Sequence, residues 1–298
     1  MTEKSNIVIN KKLIDEKAWK EYINNLKTEV ETELTKEKSN PDKEKLRQAL
    51  LNAIKTRCKG KFGILLSGGV DSSFIALVAK KLNCDFICYS VGVEGSPDVE
   101  FARKLADELD LELKYKILTE DELEEVIKLT VKTLNNSNVV KVGVGCVVYA
   151  AAELAKEDNI NILFSGLGSE EIFAGYDRHG LADDVNKECW IGLESMWERD
   201  FVRDFTLGKH FNVELMTPFL DKELIIEAMK FPPEDKLDDD QKKIILRKIA
   251  EEEGLPKEFA WRKKKAAQYG SKFDRILAKI AKKKGFKFKG DYLKSLLE

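Results

Sequence analysis

The sequence contains no C-x-x-C pair and only two histidines, His179 and His210, among 298 residues. Its five cysteines (Cys58, Cys84, Cys88, Cys146 and Cys189) are scattered, so zinc, iron–sulfur and dithiol redox roles find no support in the spacing. Cys84 and Cys88 share one phase of a strand-like stretch and read as small buried hydrophobes. No apolar run approaches the ~20 residues of a transmembrane helix. The opening stretch, MTEKSNIVINKK, has no signal-peptide core, and a reduced cytoplasmic setting is the default expectation. Net charge is almost absent: 51 basic residues against 53 acidic ones leave −2. That balance gives no footing to a dedicated nucleic-acid binder, and the basic tail Lys279–Lys289 reads as a solvated helix face. No internal repeat or low-complexity segment is found. What is abundant is charge of both signs, 35% of residues, which implies a surface laced with ion pairs. The length is ample for one large α/β core.

The apolar pattern predicts alternating strands and helices. Residues 1–43 read as an N-terminal helical extension, with a short apolar patch at Ile7–Ile9. Trp19, Tyr22, Ile23, Leu26, Val30 and Leu34 follow at helical spacing, and a polar break spans Lys36–Lys43. Covering a sheet edge is the expected role of this extension, a partner surface the alternative. A second domain, 44–298, begins with a helix carrying Leu46, Leu50 and Ile54. Strands are expected at Phe62–Leu66, Asp85–Val91, Leu111–Leu118 and Ile160–Phe164. Between them lie helix starts with recognisable caps: Ser96-Pro97-Asp98, and the capping box Thr119-Glu120-Asp121-Glu122. Tyr149–Lys156 reads as helix, and the chain beyond Ile172 as mainly helical. This order is that of an α/β fold: a doubly wound parallel sheet of about five strands with a mainly helical C-terminal part. In such sheets the site lies off the carboxyl ends of the strands.

Two loops sit at such ends. Ser67-Gly68-Gly69-Val70-Asp71-Ser72-Ser73 joins a buried strand to a helix. Its glycines let the backbone approach an oxyanion, and the helix N-terminus supplies N–H groups and a positive dipole end. Asp71 would repel a phosphate unless a cation lies between them, so the loop reads as a grip for nucleotide phosphates with Mg²⁺. The second loop, Ser165-Gly166-Leu167-Gly168-Ser169-Glu170-Glu171-Ile172-Phe173-Ala174-Gly175-Tyr176, adds small residues and carboxylates. Asp71 and one of the two glutamates could bracket Mg²⁺ on a triphosphate.

These residues resemble the synthetase domain of asparagine synthetase, in the N-type ATP pyrophosphatase (PP-loop) group. The first loop matches S-G-G-x-D-S, and Ser165–Tyr176 matches S-G-x-G-S-[DE]-E-x-F-x-G-Y. Val213–Asp221 is similar to V-E-x-R-x-P-F-L-D. Lys243–Arg247 with Leu255-Pro256 is similar to K-x-x-L-R and L-P, and Trp261–Lys264 to W-R-x-K. The matches run in family order over roughly residues 44–275. The resemblance implies ATP cleavage between the α and β phosphates, with a carboxylate converted to an acyl-adenylate and then to an amide by ammonia or an amine. It implies that Ser67, Gly68, Gly69, Asp71, Ser72 and Ser73 hold the pyrophosphate portion and that Asp71 and Glu170 bind Mg²⁺. Val91 and Gly92 would line the adenine, Gly166 the ribose side. Lys264 would reach the phosphates or the developing oxyanion, with Lys243 and Arg247 as weaker candidates for the same positive wall. Leu167, Gly168, Ser169, Glu171, Tyr149 and His179 are candidates for the substrate pocket. Glu171 reads equally as a local ion-pair partner, and His179 first as structural. Arg203 lies where the family has an arginine and reads as a brace.

The chain also departs from the family pattern. Position 2 is Thr2, where the glutamine-hydrolysing enzymes have a nucleophilic cysteine, and only some 60 residues precede the phosphate loop. Ammonia would then come free, from a separate glutaminase subunit, or be replaced by another amine. Leu167 stands where the family usually has Glu, and leucine transfers no proton. Met216 replaces an arginine, and Lys141–Val148 is more apolar than the corresponding pocket segment. ATP and Mg²⁺ thus remain the expected cofactors, while aspartate is in question. The family default is asparagine formation. Adenylation of a different substrate, a tRNA or metabolite carbonyl, is the alternative, as is a non-catalytic ATP-binding subunit. Homo-oligomerisation is left open, and no membrane partner is expected.

Overall fold

A computed structural model describes residues 8–9, 12–35, 40–263 and 265–298 of the chain. Lys264 lies outside the described residues, as do positions 36–39 of the polar break and Ile7 of the N-terminal apolar patch. The N-terminal strands β1 (Val8–Ile9) and β2 (Lys12–Leu13) pair with each other, antiparallel. The main sheet contains β3 (Phe62–Leu65), β4 (Phe86–Gly92), β5 (Leu113–Ile117), β6 (Ile162–Phe164) and β7 (Glu214–Met216). Its order is β5-β4-β3-β6-β7, and every neighbouring pair is parallel. The chain leaves β3 toward β4 and β5, then returns to the other side of β3 for β6 and β7. The crevice between the ends of β3 and β6 is therefore the topological switch point.

Local sequence explains most of these elements. α4 (Pro97–Leu109) starts at Ser96, whose hydroxyl accepts the Val99 N–H at 3.3 Å, with Pro97 in its first turn. α5 (Glu120–Leu134) carries the expected capping box: Thr119 N–H donates to Glu122 Oε2 at 2.8 Å, and Glu122 N–H to Thr119 Oγ1 at 3.3 Å. β3 and β6 approach closely because Gly63 has no side chain: a Cβ there would stand 2.8 Å from Tyr89 Cε2 and collide with Leu163.

Three findings alter the expected picture. First, α1 (Glu16–Leu34) does not cover a sheet edge. Its buried face, Trp19, Ile23, Leu26 and Val30, belongs to the main apolar core, together with α2 (Lys43–Lys55) and α3 (Val70–Lys81). Trp19 Nε1–H donates to the Leu193 carbonyl at 2.8 Å, and its ring meets Phe201 edge-on at 4.8 Å. The helix packs against the C-terminal helices Val185–Met196 and Lys222–Met229. Second, α6 spans Val139–Glu157, so the apolar stretch 141–148 is helix interior. Val142 and Cys146 are buried in a second core with α5 and the helix Phe273–Lys283. Gly143 and Gly145 admit close neighbours: Cβ atoms there would lie 3.3 Å from Gln268 Cβ and 3.1 Å from Thr130 Cγ2. Third, the region beyond Ile172, mainly helical as expected, contributes the three-residue edge strand β7. Among the described residues no single helix is long and apolar enough to cross a membrane.

Candidate functional site

Both glycine-rich loops leave the sheet at the switch point. After the Leu66 N–H donates to the Tyr89 carbonyl at 2.8 Å, the chain turns at Gly68 in the left-handed region, φ +66°. A Cβ there would stand 2.6 Å from Phe101 Cβ, so glycine meets both a backbone and a space requirement. Gly69 begins α3 with no side-chain cap, leaving the helix N-terminus open to an anion. Ser72 ties the turn together: its Oγ accepts the Ser67 N–H at 3.2 Å and lies 3.1 Å from Ser67 Oγ. Ser73 is fully buried, and its hydroxyl has no partner.

The second loop lies against the first. A Cβ on Gly166 would sit 2.8 Å from Asp71 Cβ. Gly168, φ +99°, starts α7 (Ser169–Ile172), and a Cβ there would stand 2.6 Å from Leu220 Cδ2. This contact brings Asp71 and Glu170, nearly a hundred positions apart in sequence, onto one cation. That cation is Lys243. Its Nζ donates to Asp71 Oδ1 and Oδ2 at 2.9 and 2.8 Å, to Glu170 Oε1 at 2.6 Å, and to Ser169 Oγ at 3.1 Å. Burial alone would lower the Lys243 pKa, but the two carboxylates outweigh it and hold it above the ordinary value. Lys243 is thus central to the site, whereas sequence reasoning ranked it a secondary member of the positive wall. Its place in K-x-x-L-R was the available signal.

Arg247, the other weak candidate, spends its donors on backbone: Nε on the Lys242 carbonyl at 2.6 Å, Nη1 on the Ala260 carbonyl at 2.6 Å. It fixes the turn that presents Lys243. Arg262 carries a role that sequence reasoning did not assign. Nη1 donates to the Ser67 carbonyl at 2.6 Å, Nη2 to Asp98 Oδ1 at 2.8 Å, and the guanidinium lies 4.0 Å from the Phe101 ring centroid. It clamps the first loop to the start of α4.

The remaining expected residues fall in three places. Val91 and Gly92 end β4 past its pairing with β3, opposite Lys116 and Ile117 of β5, with the Val91 side chain in the second core. Leu167 is half-buried on the second loop, its N–H donating to Ser165 Oγ at 3.3 Å. Tyr149 packs edge-on against Phe211 at 4.7 Å within the second core, in the company of core residues rather than of the two loops. Its place on the buried face of α6 turns it into the core shared with α5 and the helix Phe273–Lys283. His179 is buried just past the second loop, its Nδ1 accepting the Tyr176 N–H at 3.1 Å. Burial and the nearby Arg178, Lys236 and Lys242 push its pKa down to about 4, so it stays neutral.

Glu171 points away from Lys243. It is fully buried, with Oε1 bonded to Arg199 and Oε2 without a partner. Arg199 also donates to Asp200 Oδ2 at 2.7 Å, from a π-helical turn at Trp197–Phe201. Desolvation raises the Glu171 pKa to about 7 against the pull of Arg199. A folded-state pKa above the unfolded value makes the neutral form the stabilised one. Glu171 therefore favours folding fully below about pH 4.5, and that contribution declines as pH rises to about 7. Over this window the expected loss is about 3 kcal/mol. Denaturant titrations at pH 5 and 8 check it: Glu171→Gln should flatten the difference, and an unchanged difference would remove the assignment.

The asparagine synthase family profile matches residues 45–183 and 180–286. A Methanocaldococcus jannaschii protein, provisionally named asparagine synthetase [glutamine-hydrolyzing] 1, is 35% identical over 86% of this chain and 55% of its own length. Asparagine synthetase B [glutamine-hydrolyzing] of Escherichia coli is 30% identical over 75% of this chain and 44% of its own. The chain thus spans about half the length of these curated relatives. Among solved structures, an NMN synthetase from Francisella tularensis aligns over 85% of this chain and 92% of its own, at 15% identity and a TM-score of 0.35. The chain, with its two strand-end loops and their shared carboxylate pair, belongs to the asparagine synthase family.

Proposed function

We propose that this chain is an ATP-dependent ligase that forms AMP and pyrophosphate, adenylating a carboxylate and passing it to ammonia or an amine. The observation that carries this reading is the meeting of Asp71 and Glu170 on one cation beside the uncapped N-terminus of α3. The first loop would grip the phosphates through helix N–H groups, with Ser67 and Ser72 holding its shape. The hard oxygens of Asp71, Glu170 and Ser169 suit Mg²⁺. Among the described residues no three His, Cys, Asp or Glu side chains form a metal cluster. Mg²⁺ here would therefore share its coordination with phosphate oxygens and water, as it does in nucleotide sites. When bound, it would draw charge from the phosphates as they part. Lys243 adds a positive charge to the same corner, and Lys264 is proposed to serve the phosphates on the strength of the W-R-x-K pattern.

Aspartate to asparagine is the family default. The acceptor half is where this chain differs, because Leu167 brings an aliphatic side chain to a position the family fills with Glu. A different carboxylate or amine is the second reading, and a separate glutaminase subunit remains a candidate ammonia source. The test is pyrophosphate release from ATP and Mg²⁺, with ammonium, across a panel of carboxylates headed by aspartate. Aspartate-dependent release with asparagine as product supports the default. Release with another acid keeps the ligase and renames its substrate. Tight ATP binding with no release across the panel would favour a regulatory nucleotide-binding role. Leu167→Glu should raise asparagine formation by about tenfold or more if the pocket admits aspartate; no change points to a different acceptor.

A further inference from the structure

The Lys243 ammonium stands on the oxygens that a divalent cation would need. Its three protons face four oxygens, at 2.6–3.1 Å, and its side chain is 5% exposed. The position is built by several segments. Lys243 holds a left-handed backbone, φ +59°, which is unfavourable for a non-glycine residue, at the start of the helix Ile244–Glu252. Arg247 secures it through the Lys242 carbonyl at 2.6 Å. Gly175 leaves the space that the side chain crosses, since a Cβ there would collide with Glu170 and Lys243 Cε. Such a buried ammonium neutralises the carboxylates more cheaply than water could once the loops have closed on each other. A +2 ion cannot take the same oxygens at bonding distance without repelling an ammonium that close.

Resting on the nucleotide reading above, we infer that Lys243 is the resident counter-ion of the Asp71–Glu170 pair. It withholds that pair from free divalent metal, so that the metal enters with nucleotide. Incoming phosphate oxygens supply the new partners that let the ammonium release the carboxylates. The site is then neutralised in turn by lysine and by metal, without passing through a bare pair of adjacent anions.

Mn²⁺, counted by electron paramagnetic resonance, is the probe, first alone and then with α,β-methylene-ATP. The wild-type protein should bind Mn²⁺ alone only in the millimolar range and far more tightly with the analogue. Lys243→Met should tighten binding of Mn²⁺ alone by at least about tenfold, and Asp71→Asn in that background should remove the gain. Micromolar uptake of one Mn²⁺ by the wild-type protein without nucleotide overturns the inference, as does a natively folded Lys243→Met protein with no gain. Should Lys243→Met not fold, the wild-type titration decides alone: nucleotide-dependent uptake supports the inference and nucleotide-independent uptake overturns it. Failure to bind the analogue would instead count against the nucleotide reading, and the Mn²⁺-alone comparison of the two proteins would still decide the counter-ion role.

Discussion

Asp71→Asn should lower Mg²⁺-dependent pyrophosphate release by on the order of a thousandfold while leaving the fold intact. The substitution is isosteric, so Gly166 keeps its contact with the Asp71 Cβ and the two loops stay joined. One oxygen remains to accept from Lys243, which also keeps Glu170 and Ser169. What is lost is one of the two negative charges that would hold a divalent ion against the phosphates. A loss of several kcal/mol of transition-state stabilisation corresponds to the rate effect stated. Nucleotide binding should fall far less, because the α3 N-terminus and the glycine turn are main-chain features. The measurement is pyrophosphate release against Mg²⁺ concentration, with circular dichroism and melting temperature on the same preparation. Wild-type release by a folded Asp71→Asn protein would withdraw Asp71 from the metal role.

The frame of the site was legible in sequence because its signals are local. A buried strand, a glycine turn and a helix start occupy a dozen residues at Phe62–Phe74, and the same grammar recurs at Ile162–Ile172. Other features depend on contacts between distant segments. β7 is three residues long and exists through its pairing with β6, so no periodicity announces it. Residues 141–148 read only as an apolar stretch ahead of the helix at Tyr149, yet they belong to that helix, with Gln268 and Thr130 packed close to Gly143 and Gly145. Lys243 was legible only as a secondary candidate, through its place in K-x-x-L-R, in a chain with 51 basic residues. Its importance arises from a left-handed backbone and from carboxylates more than seventy positions away. Tyr149, a pocket candidate from sequence, packs instead into the core shared by α5, α6 and the helix Phe273–Lys283.

Arg262→Lys should reduce kcat/KM for ATP by about 10²-fold, with a smaller effect on stability. The guanidinium spans two groups, the Ser67 carbonyl at 2.6 Å and Asp98 Oδ1 at 2.8 Å, while lying over the Phe101 ring. A lysine ammonium keeps the charge but has no planar fork, so one contact must lengthen. The Ser67 carbonyl matters more for activity. It enters the turn whose left-handed Gly68 aims the α3 N-terminus, and Phe101, beneath Arg262, is also what closes the space around Gly68. Loosening that clamp by a fraction of an ångström misaligns the phosphates relative to Asp71 and Lys243, which lowers the rate without touching the carboxylate pocket. The effect should therefore be the same for every carboxylate the protein accepts, whereas Leu167→Glu should be selective among them. Steady-state pyrophosphate release with two accepted acids separates the cases. A loss confined to one acid would place Arg262 in carboxylate recognition, and wild-type kcat/KM in the lysine variant would show that the turn holds its shape without the fork.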